Sequence, residues 1–362
     1  MASDPILLAI DGLAVGGTER QVVELLRGLH RSGRHRVALS VLDRGGALEP
    51  EALALAARVL PVRRRARFDV TPAAALLRQA RQARIGLVLA IGRLSGLAGL
   101  WVARRLGVPI VNASIRSAPA SLAWRDRLSR WCAARSDAIV ANARAGLRAH
   151  GLAAHPRAQV IANAIDLARF ADVVAADAGP ADICMVANFN PRKDHATPVR
   201  ALPLVRRTIP EARLVLVGGD AGTLADTRRL ARELGVAAAV RVVCDTARPE
   251  SIVAASRVCV LSSPSEACSN AILEYMALAR PIVASDTCGD SADLIAEANC
   301  GCVVPFGAVE PLAATLVTLL RDPTRARAMG EAGRRRVADF TVARMAAAYE
   351  AVFDRLLRRG RP

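Results

Sequence analysis

The chain of 362 residues is long enough for two domains, and its content of 52% hydrophobic and 23% charged residues excludes a disordered protein. Aromatic residues make up 3%, too few for platforms that stack single-stranded nucleic acid. The formal net charge of +17 favours anionic partners, such as an acidic membrane face or a phosphorylated small molecule. Nucleic acid is not expected, because no recognition motif accompanies a charge that comes almost entirely from arginine.

Eight cysteines lie mostly in apolar runs without a paired C-x-x-C, so the sequence predicts free thiols in a reducing compartment and no zinc site. No basic segment precedes the first apolar run, so no signal peptide is expected. The uncharged segment between Arg93 and Arg104 is far shorter than the roughly 20 residues of a spanning helix. We therefore expect a cytoplasmic protein, or one held peripherally at the inner face of the cytoplasmic membrane.

Apolar runs alternate with helical patterns through the first half of the chain. Helices are predicted at 19–31, 72–83 and 125–134. The predicted strands are 6–10, 37–42, 87–91, 108–111, 138–140 and 159–161. This alternation predicts a parallel sheet with helices on both faces, so residues 1–166 are expected to form one doubly wound α/β domain.

A composition shift at residues 167–182, where Ala, Asp, Gly and Pro replace periodic structure, predicts a linker. The alternation restarts with predicted strands at 183–187, 214–217, 241–243, 259–261, 282–284 and 302–304. Residues 183–340 are expected to form a second doubly wound domain, followed by a C-terminal helix in 341–362. For two such domains we expect an active cleft between them, at the carboxyl ends of the strands.

A glycine-rich loop follows the first predicted strand. Gly16 and Gly17 precede a helix, and this combination lets the backbone approach a phosphate at a helix N-terminus. The spacing from Gly12 does not match the G-x-G-x-x-G dinucleotide fingerprint. A tight structural turn explains the loop as well as a ligand contact does.

The loop after the first strand of the second domain carries the only lysine of the chain, Lys193, next to Arg192. An ammonium at a strand end can neutralise a diphosphate that gains charge as its sugar leaves. The alternative is a solvated basic turn.

Two glutamates, Glu266 and Glu274, are separated by seven residues. Ser269 is the predicted N-cap of a helix, which places Glu266 in the loop before it and Glu274 in its second turn. The amides of Asn270 and Ala271 would then point towards the cleft. Carboxylates accept hydrogen bonds from sugar hydroxyls and amides suit a phosphate, whereas an ordinary exposed glutamate is the alternative for Glu274.

These segments resemble those of the retaining glycosyltransferases of family 4, also called glycosyl transferases group 1. Further matching segments are 160–166, 216–218 and 279–286, so the resemblance runs through almost the whole chain in family order. It implies the GT-B fold, in which two Rossmann-like domains face each other across a cleft. It also implies that the C-terminal helix packs back on the N-terminal, acceptor-binding domain, while the C-terminal domain binds the donor.

The activity implied by the resemblance is transfer of a sugar from a nucleotide-diphosphate sugar to a glycan or lipid-linked acceptor, in cell-surface polysaccharide or glycolipid biosynthesis. No metal and no bound cofactor are implied. The implied catalytic residues are Lys193, which would hold the diphosphate, and Glu266, beside the reacting carbon. The implied donor-binding residues are Gly16, Gly17, Asn188, Arg192, Cys268, Ser269, Asn270, Ala271 and Glu274, and those on the acceptor side are Arg116 and Asn163.

The chain departs from the family pattern at Asn188, where an arginine is usual, and after Glu266, where Ala-Cys-Ser replaces Gly-Phe-Pro. The departures leave open a non-catalytic nucleotide-sugar-binding protein. Two other enzyme classes of the same fold are alternatives: an epimerase, for which only His195 is placed to serve, and a phosphorylase, for which Lys193 would be the cofactor lysine. The arginine clusters at 63–67 and 334–336 are interpreted as solvated faces, with anionic lipid headgroups as the functional alternative.

Overall fold

The computed structural model describes residues 5–63, 69, 71–173, 182–244, 246 and 248–359. The chain divides into two compact units. Unit 1 consists of Met1–Ala164 together with Thr341–Pro362, and unit 2 of Ile165–Phe340. Residues 174–181 of the predicted linker and 64–67 of the first arginine cluster lie outside the described residues.

Unit 1 is built around seven parallel strands in the order β3-β2-β1-β4-β5-β6-β7. The strands are β1 Ile6–Gly12, β2 Val37–Asp43, β3 Arg58–Val59, β4 Leu87–Ile91, β5 Ile110–Ile115, β6 Ala138–Ala141 and β7 Ala158–Val160. The helices between them are α1 Gly17–Ser32, α2 Glu49–Leu55, α3 Thr71–Gln82, α4 Arg93–Leu106, α5 Trp124–Ala134 and α6 Arg144–Ala149. The central strands are buried almost throughout, as near-continuous runs of Val, Ile, Leu and Ala require when both faces of a parallel sheet are covered.

Unit 2 is built around six parallel strands in the order β10-β9-β8-β11-β12-β13. They are β8 Asp182–Val186, β9 Arg213–Val217, β10 Val240–Val243, β11 Val258–Leu261, β12 Ile282–Ser285 and β13 Gly301–Val304. The helices are α7 Ala168–Ala171, α8 Ala196–Thr208, α9 Leu224–Glu233, α10 Pro249–Ala255, α11 Asn270–Ala277, α12 Asp290–Ala298, α13 Val309–Arg321 and α14 Pro323–Val337. The predicted α/β class with two doubly wound sheets is confirmed.

The C-terminal helix α15, Val342–Arg359, packs against α1 in unit 1. Gly28 allows the contact, because a Cβ there would lie 2.7 Å from the Cβ of Ala346. Arg34 anchors the helix by ion pairs with Glu350 at 3.1 Å and Asp354 at 2.7 Å. The apolar face of α15 thus extends the core of unit 1.

Each sheet reverses its strand order once, between β1 and β4 in unit 1 and between β8 and β11 in unit 2. In open parallel sheets the crevice at the carboxyl ends of the strands on either side of such a reversal is the usual ligand site. The loops after β1, β4, β8 and β11 are therefore where a site is expected on physical grounds.

Candidate active site

The reversal point of unit 2 brings together two residues that are 73 positions apart in the sequence. Lys193 lies in the loop after β8, and its Nζ forms an ion pair with Oε1 of Glu266, in the loop after β11. The two side chains are 21% and 16% exposed, so the pair is partly shielded but reachable from solvent. An ammonium and a carboxylate at a strand-order reversal can bind a diphosphate and a polyhydroxyl ligand side by side.

The loop that carries Lys193, residues 187–195 between β8 and α8, is called the lysine loop. It is a turn with both ends anchored in the core. The N–H of Lys193 donates to the Asn190 carbonyl, and the N–H of Arg192 donates to Asn190 Oδ1, both at 2.9 Å. Phe189 is fully buried, and its ring stacks on His195 with 4.3 Å between centroids. The fold therefore holds the base of this loop firmly and leaves Arg192 exposed at its tip.

His195 is a buried residue of this loop, held by its Nε2 at 3.2 Å from the Ala187 carbonyl. Burial lowers the pKa of its imidazole, so the neutral form is favoured. A neutral ring packed on Phe189 serves the core of unit 2. The environment of His195 therefore does not favour the epimerase alternative.

Asn188, which occupies the position where the family usually has arginine, is exposed and tied to the neighbouring loop. Its Oδ1 accepts a hydrogen bond from the Gly219 N–H at 3.1 Å. The loops approach closely here, because a Cβ on Gly218 would lie 2.1 Å from the Ala187 carbonyl oxygen. Asn188 thus joins the loops after β8 and β9. The positive charge that the family arginine would carry is absent at this position, and Arg192 is the nearby exposed cation of the lysine loop.

The loop that carries Glu266, residues 262–269 between β11 and α11, is called the glutamate loop. It is fastened to the lysine loop by hydrogen bonds between Asp194 and Ser262. The N–H of Asp194 donates to the Ser262 carbonyl at 3.1 Å, and Ser262 Oγ donates to Asp194 Oδ2 at 2.6 Å. The same carboxylate accepts the N–H of Thr197 at 3.0 Å, at the start of α8. This reciprocal bonding fastens the residue after Lys193 to the loop that carries Glu266.

The hydroxyl group of Ser263 lies close to the ion pair. Its Oγ is 2.9 Å from the Arg192 carbonyl oxygen and 3.3 Å from Glu266 Oε1. Its N–H donates to Ser285 Oγ at 3.1 Å, and the Glu266 N–H donates to the Thr287 carbonyl at 3.2 Å. Glu266 is thus held by its backbone and touched by a buried hydroxyl, so the side chain has a defined position.

Helix α11 begins directly after Ser269, as the sequence predicts, but the serine side chain makes no capping hydrogen bond. Instead the Ser269 N–H donates to Ser291 Oγ at 2.9 Å. Tyr275 orients the helix, because its buried hydroxyl accepts the Val186 N–H at 2.7 Å, at the end of β8. Burial raises the pKa of this phenol well above its usual value, so it remains a neutral anchor.

The remaining predicted donor-site residues of unit 2 lie on the same loop and helix as Glu266. Half-buried positions in this segment are Cys268, Asn270, Ala271 and Glu274. Asn270 and Ala271 occupy the first turn of α11, where backbone amides point out of the helix, and Glu274 the second turn. The structure therefore groups these residues with Lys193 in unit 2, and their roles towards a ligand stay predictions.

In unit 1 the glycine loop forms the turn that leads into α1. Gly16 is the residue before α1, and a Cβ there would lie 2.2 Å from Oε2 of Glu19. The absent side chain at Gly16 thus makes room for the Glu19 carboxylate. Gly17 begins the helix and is exposed, and the predicted phosphate contact of this loop stays a prediction.

Arg116 and Asn163, predicted on the acceptor side, are brought together by a hydrogen bond of 2.7 Å from Arg116 Nη2 to Asn163 Oδ1. Burial raises the pKa of the Tyr349 hydroxyl on α15, and the positive charge of the neighbouring Arg116 guanidinium partly offsets this effect. Asn163 is 5% exposed. This pair therefore joins the strand-end loops of unit 1 to its C-terminal helix, which is a structural task in its own right.

Asp11, at the end of β1, was missed by the sequence analysis. Its carboxylate accepts the N–H groups of Arg93 at 2.9 Å and Ser95 at 2.7 Å, and the Ser95 hydroxyl at 2.8 Å. Gly92, with a φ of 125°, makes the turn that brings the start of α4 onto this carboxylate. The available signal is an aspartate directly after the predicted apolar strand 6–10.

All eight cysteines are free thiols, as predicted. Among the described residues, no group of three or more His, Cys, Asp or Glu side chains is arranged to hold a metal ion. Within the same part of the chain, no helix has the length and apolar character needed to cross a membrane.

Two family models match consecutive parts of the chain. The model described as Glycosyltransferase Family 4 matches residues 15–169, and that described as Glycosyl transferases group 1 matches residues 169–336. The chain belongs to glycosyltransferase family 4. The Lys193–Glu266 pair lies inside the group 1 segment.

Curated relatives of this family 4 member include two named glycosyltransferases. A GDP-mannose-dependent alpha-(1-6)-phosphatidylinositol monomannoside mannosyltransferase of Mycolicibacterium smegmatis is 32% identical over 165 residues, 43% of this chain and 42% of the relative. A D-inositol 3-phosphate glycosyltransferase of Segniliparus rotundus is 30% identical over 267 residues, 66% of this chain and 59% of the relative. The matches thus span about half the length of these relatives.

Solved structures similar to this family 4 member have the GT-B fold. HepE from Anabaena, in complex with UDP-glucose, matches with a TM-score of 0.84 and 17% identity over 97% of this chain and 100% of that chain. Sucrose-phosphate synthase from Thermosynechococcus elongatus matches with a TM-score of 0.80 and 19% identity over 98% of this chain and 100% of that chain. The fold assignment to GT-B is confirmed.

Proposed function

We propose that this family 4 member is a retaining glycosyltransferase that moves a sugar from a nucleotide-diphosphate sugar to a glycan or lipid-linked acceptor. The observation that carries the proposal is the Lys193–Glu266 pair at the strand-order reversal of unit 2. It combines an ammonium for a diphosphate with a carboxylate for sugar hydroxyls, on loops that are bonded to each other through Asp194 and Ser262.

On binding, the diphosphate takes the ammonium of Lys193 as its counter-ion, in exchange for the partly exposed pair with Glu266. The same ammonium then stabilises the charge that develops on the leaving diphosphate as the bond to the sugar breaks. Arg192, exposed on the same loop, supplies a second positive charge in place of the arginine that Asn188 replaces. The released Glu266 carboxylate accepts hydrogen bonds from the donor sugar, and Glu274 binds the ribose.

Retention at the reacting carbon follows, in this proposal, from attack by the acceptor on the face that the diphosphate leaves, without a protein nucleophile. The charges of Lys193 and Arg192 take the part that a divalent cation has in other transferases, so we expect no metal requirement. Turnover unchanged by EDTA supports this, whereas turnover restored only by added Mg²⁺ or Mn²⁺ contradicts it.

The names of similar proteins direct the search for substrates. The mycobacterial relative is named for GDP-mannose and for a phosphatidylinositol acceptor, and the HepE structure holds UDP-glucose. GDP and UDP therefore both belong in the donor test. A lipid-linked acceptor at the inner face of the cytoplasmic membrane, in glycolipid or polysaccharide synthesis, agrees with the net charge of +17.

The test is thermal stabilisation by nucleotide diphosphates and their sugars, measured on the wild type, K193A and the charge-preserving K193R. A rise in Tm with one nucleotide in the wild type, lost in K193A and partly kept in K193R, supports the donor site and identifies the base. Absence of any shift in a folded wild type contradicts the proposal. Stabilisation by a nucleotide sugar that is never consumed, with any acceptor of a broad panel, favours the non-catalytic alternative.

A further inference from the structure

Helix α5 of unit 1, Trp124–Ala134, exposes two of the three tryptophans of the chain. Trp124 is 65% and Trp131 is 44% exposed. The two residues are seven positions apart, which places them two turns apart on one side of the helix. Its buried residues are Cys132 and Ala133. The helix therefore presents large aromatic rings outward and packs on unit 1 through small side chains.

The exposed surface of this helix is also strongly basic. Around the two tryptophans lie four exposed arginines: Arg125, Arg127, Arg130 and Arg135. The guanidinium of Arg125 lies 5.4 Å from the ring centroid of Trp124, and that of Arg135 lies 4.2 Å from that of Trp131. The acidic residue of the helix, Asp126, turns back to accept the Ala123 N–H at 3.1 Å.

The two arginine clusters noted in the sequence do not share this combination of exposed arginines and exposed tryptophans. In the cluster at 334–336, Arg336 pairs with Asp339 at 2.5 Å and lies over the Phe340 ring. No exposed large apolar side chain is recorded in that segment of the described chain. The cluster at 63–67 lies mostly outside the described residues. Only α5 combines several exposed arginines with exposed tryptophans among the helices that the structure describes.

We propose that the α5 face, defined as Trp124, Arg125, Arg127, Arg130, Trp131 and Arg135, is a docking surface for an anionic lipid bilayer. Tryptophan rings prefer the headgroup level, where an apolar body and a polar N–H are both accommodated. Arginines on the same helix bind lipid phosphates, and charge of a single sign fits an extended anionic surface. The helix then lies in the plane of the headgroups.

This inference deepens the proposed function, since a surface that holds unit 1 on a membrane brings it to lipid-linked acceptors. Bilayer binding itself requires neither donor nor acceptor. The two ideas can therefore fail separately: vesicle binding tests the α5 face, and nucleotide stabilisation of the same samples tests the donor site.

The main experiment is co-sedimentation with vesicles of phosphatidylcholine alone and of phosphatidylcholine with phosphatidylglycerol. The full chain is compared with the variant R125Q/R127Q/R130Q and with the matched variant R228Q/R229Q/R232Q, which removes three exposed arginines from α9. Each arginine near an anionic surface contributes about fivefold to partitioning, so we expect the α5 variant to bind roughly 100-fold more weakly. The α9 variant should bind within about threefold of the wild type, because the proposed α5 face includes none of these arginines.

Tryptophan fluorescence supplies a second measurement that depends on contact rather than charge. In W101F the emission comes from Trp124 and Trp131, so we expect a blue shift with anionic vesicles and quenching by brominated lipids. In W124F/W131F, which keeps Trp101, we expect neither signal, together with at least tenfold weaker binding.

Three results overturn the proposal. The first is equal loss of vesicle binding in the α5 and α9 variants, which indicates charge without a defined surface. The second is absence of binding to anionic vesicles by a folded wild type. The third is a wild-type dimer that the α5 substitutions convert to monomers, which shows that a second copy of the chain covers this face.

Discussion

Each unit places a carboxylate at the strand-order reversal of its sheet, but the two carboxylates have different kinds of partner. At the reversal point of unit 1, Asp11 accepts the N–H groups of three successive residues at the start of α4, Arg93 to Ser95, and also the Ser95 hydroxyl. At the reversal point of unit 2, Glu266 is paired with the Lys193 ammonium and touched by one hydroxyl. Both groups stand where a parallel sheet offers a crevice.

The difference shows how a scaffold position is distinguished from a ligand position. The partners of Asp11 are backbone donors of a helix N-terminus, which cannot leave without unravelling that turn. The partner of Glu266 is a flexible ammonium that an incoming phosphate can take over, since the pair is partly exposed. We therefore expect substitutions at Asp11 to act on stability and substitutions at Lys193 and Glu266 to act on turnover.

The largest expected effect is that of K193A on turnover. Removal of the ammonium leaves the departing diphosphate without its nearest positive charge, so kcat should fall by about 100-fold or more. Tm should change by less than about 4 °C, because a partly exposed ion pair contributes little to stability. Steady-state kinetics and calorimetry measure both quantities. K193R is the matched control, and turnover near that of the wild type in K193A removes Lys193 from the site.

A slightly smaller loss of turnover, roughly 30- to 100-fold, is expected for E266Q. The amide retains the size of the carboxylate and one acceptor oxygen, but it no longer accepts strong hydrogen bonds from sugar hydroxyls through a negative charge. Affinity for the free nucleotide diphosphate should stay the same or rise, since Lys193 loses a competing anion. Titration calorimetry separates this from turnover, and a large loss of nucleotide affinity in E266Q contradicts the assigned role.

The sequence placed Lys193 and Glu266 in loops that follow predicted strands of the second domain, and the family resemblance implied a catalytic role for both. Neither the ion pair between them nor the order of the strands was predicted. It could not indicate that Asp194 and Ser262 bond each other reciprocally, since short polar residues occur in most loops. The bond from Arg116 to Asn163 and the contact with Tyr349 depend on the packing of α15 in unit 1. Local patterns also overlooked the short strand β3 and the helix α12.

For D11A we expect a loss of stability rather than a loss of turnover. The variant leaves the N–H groups at the start of α4 without their acceptor, which should lower the free energy of unfolding by about 2 kcal/mol. Chemical denaturation measures this, and D11N, which keeps one acceptor oxygen, should lose less. Nucleotide affinity at a temperature where D11A is folded should equal that of the wild type. A selective loss of turnover in a stable D11A would make Asp11 a functional group and end the contrast between the two units.

The smallest expected effect is that of H195Q on the pH dependence of stability. It tests whether His195 serves the packing of the lysine loop or the reaction. Burial lowers the pKa of His195, so the unfolded chain binds a proton that the folded chain refuses as the pH falls below about 6.5. The folded state therefore loses stability on acidification, by at most about 1.4 kcal/mol per pH unit from this one residue. In H195Q, whose side chain does not titrate, the dependence of stability on pH below 6.5 should be shallower, although the lost stacking on Phe189 lowers stability at every pH. Denaturant titrations of both proteins from pH 5 to pH 8 measure the difference in slope. The pH profile of kcat should meanwhile keep its shape in H195Q, because the ring serves the core, and a lost kinetic limb would instead assign His195 to the reaction.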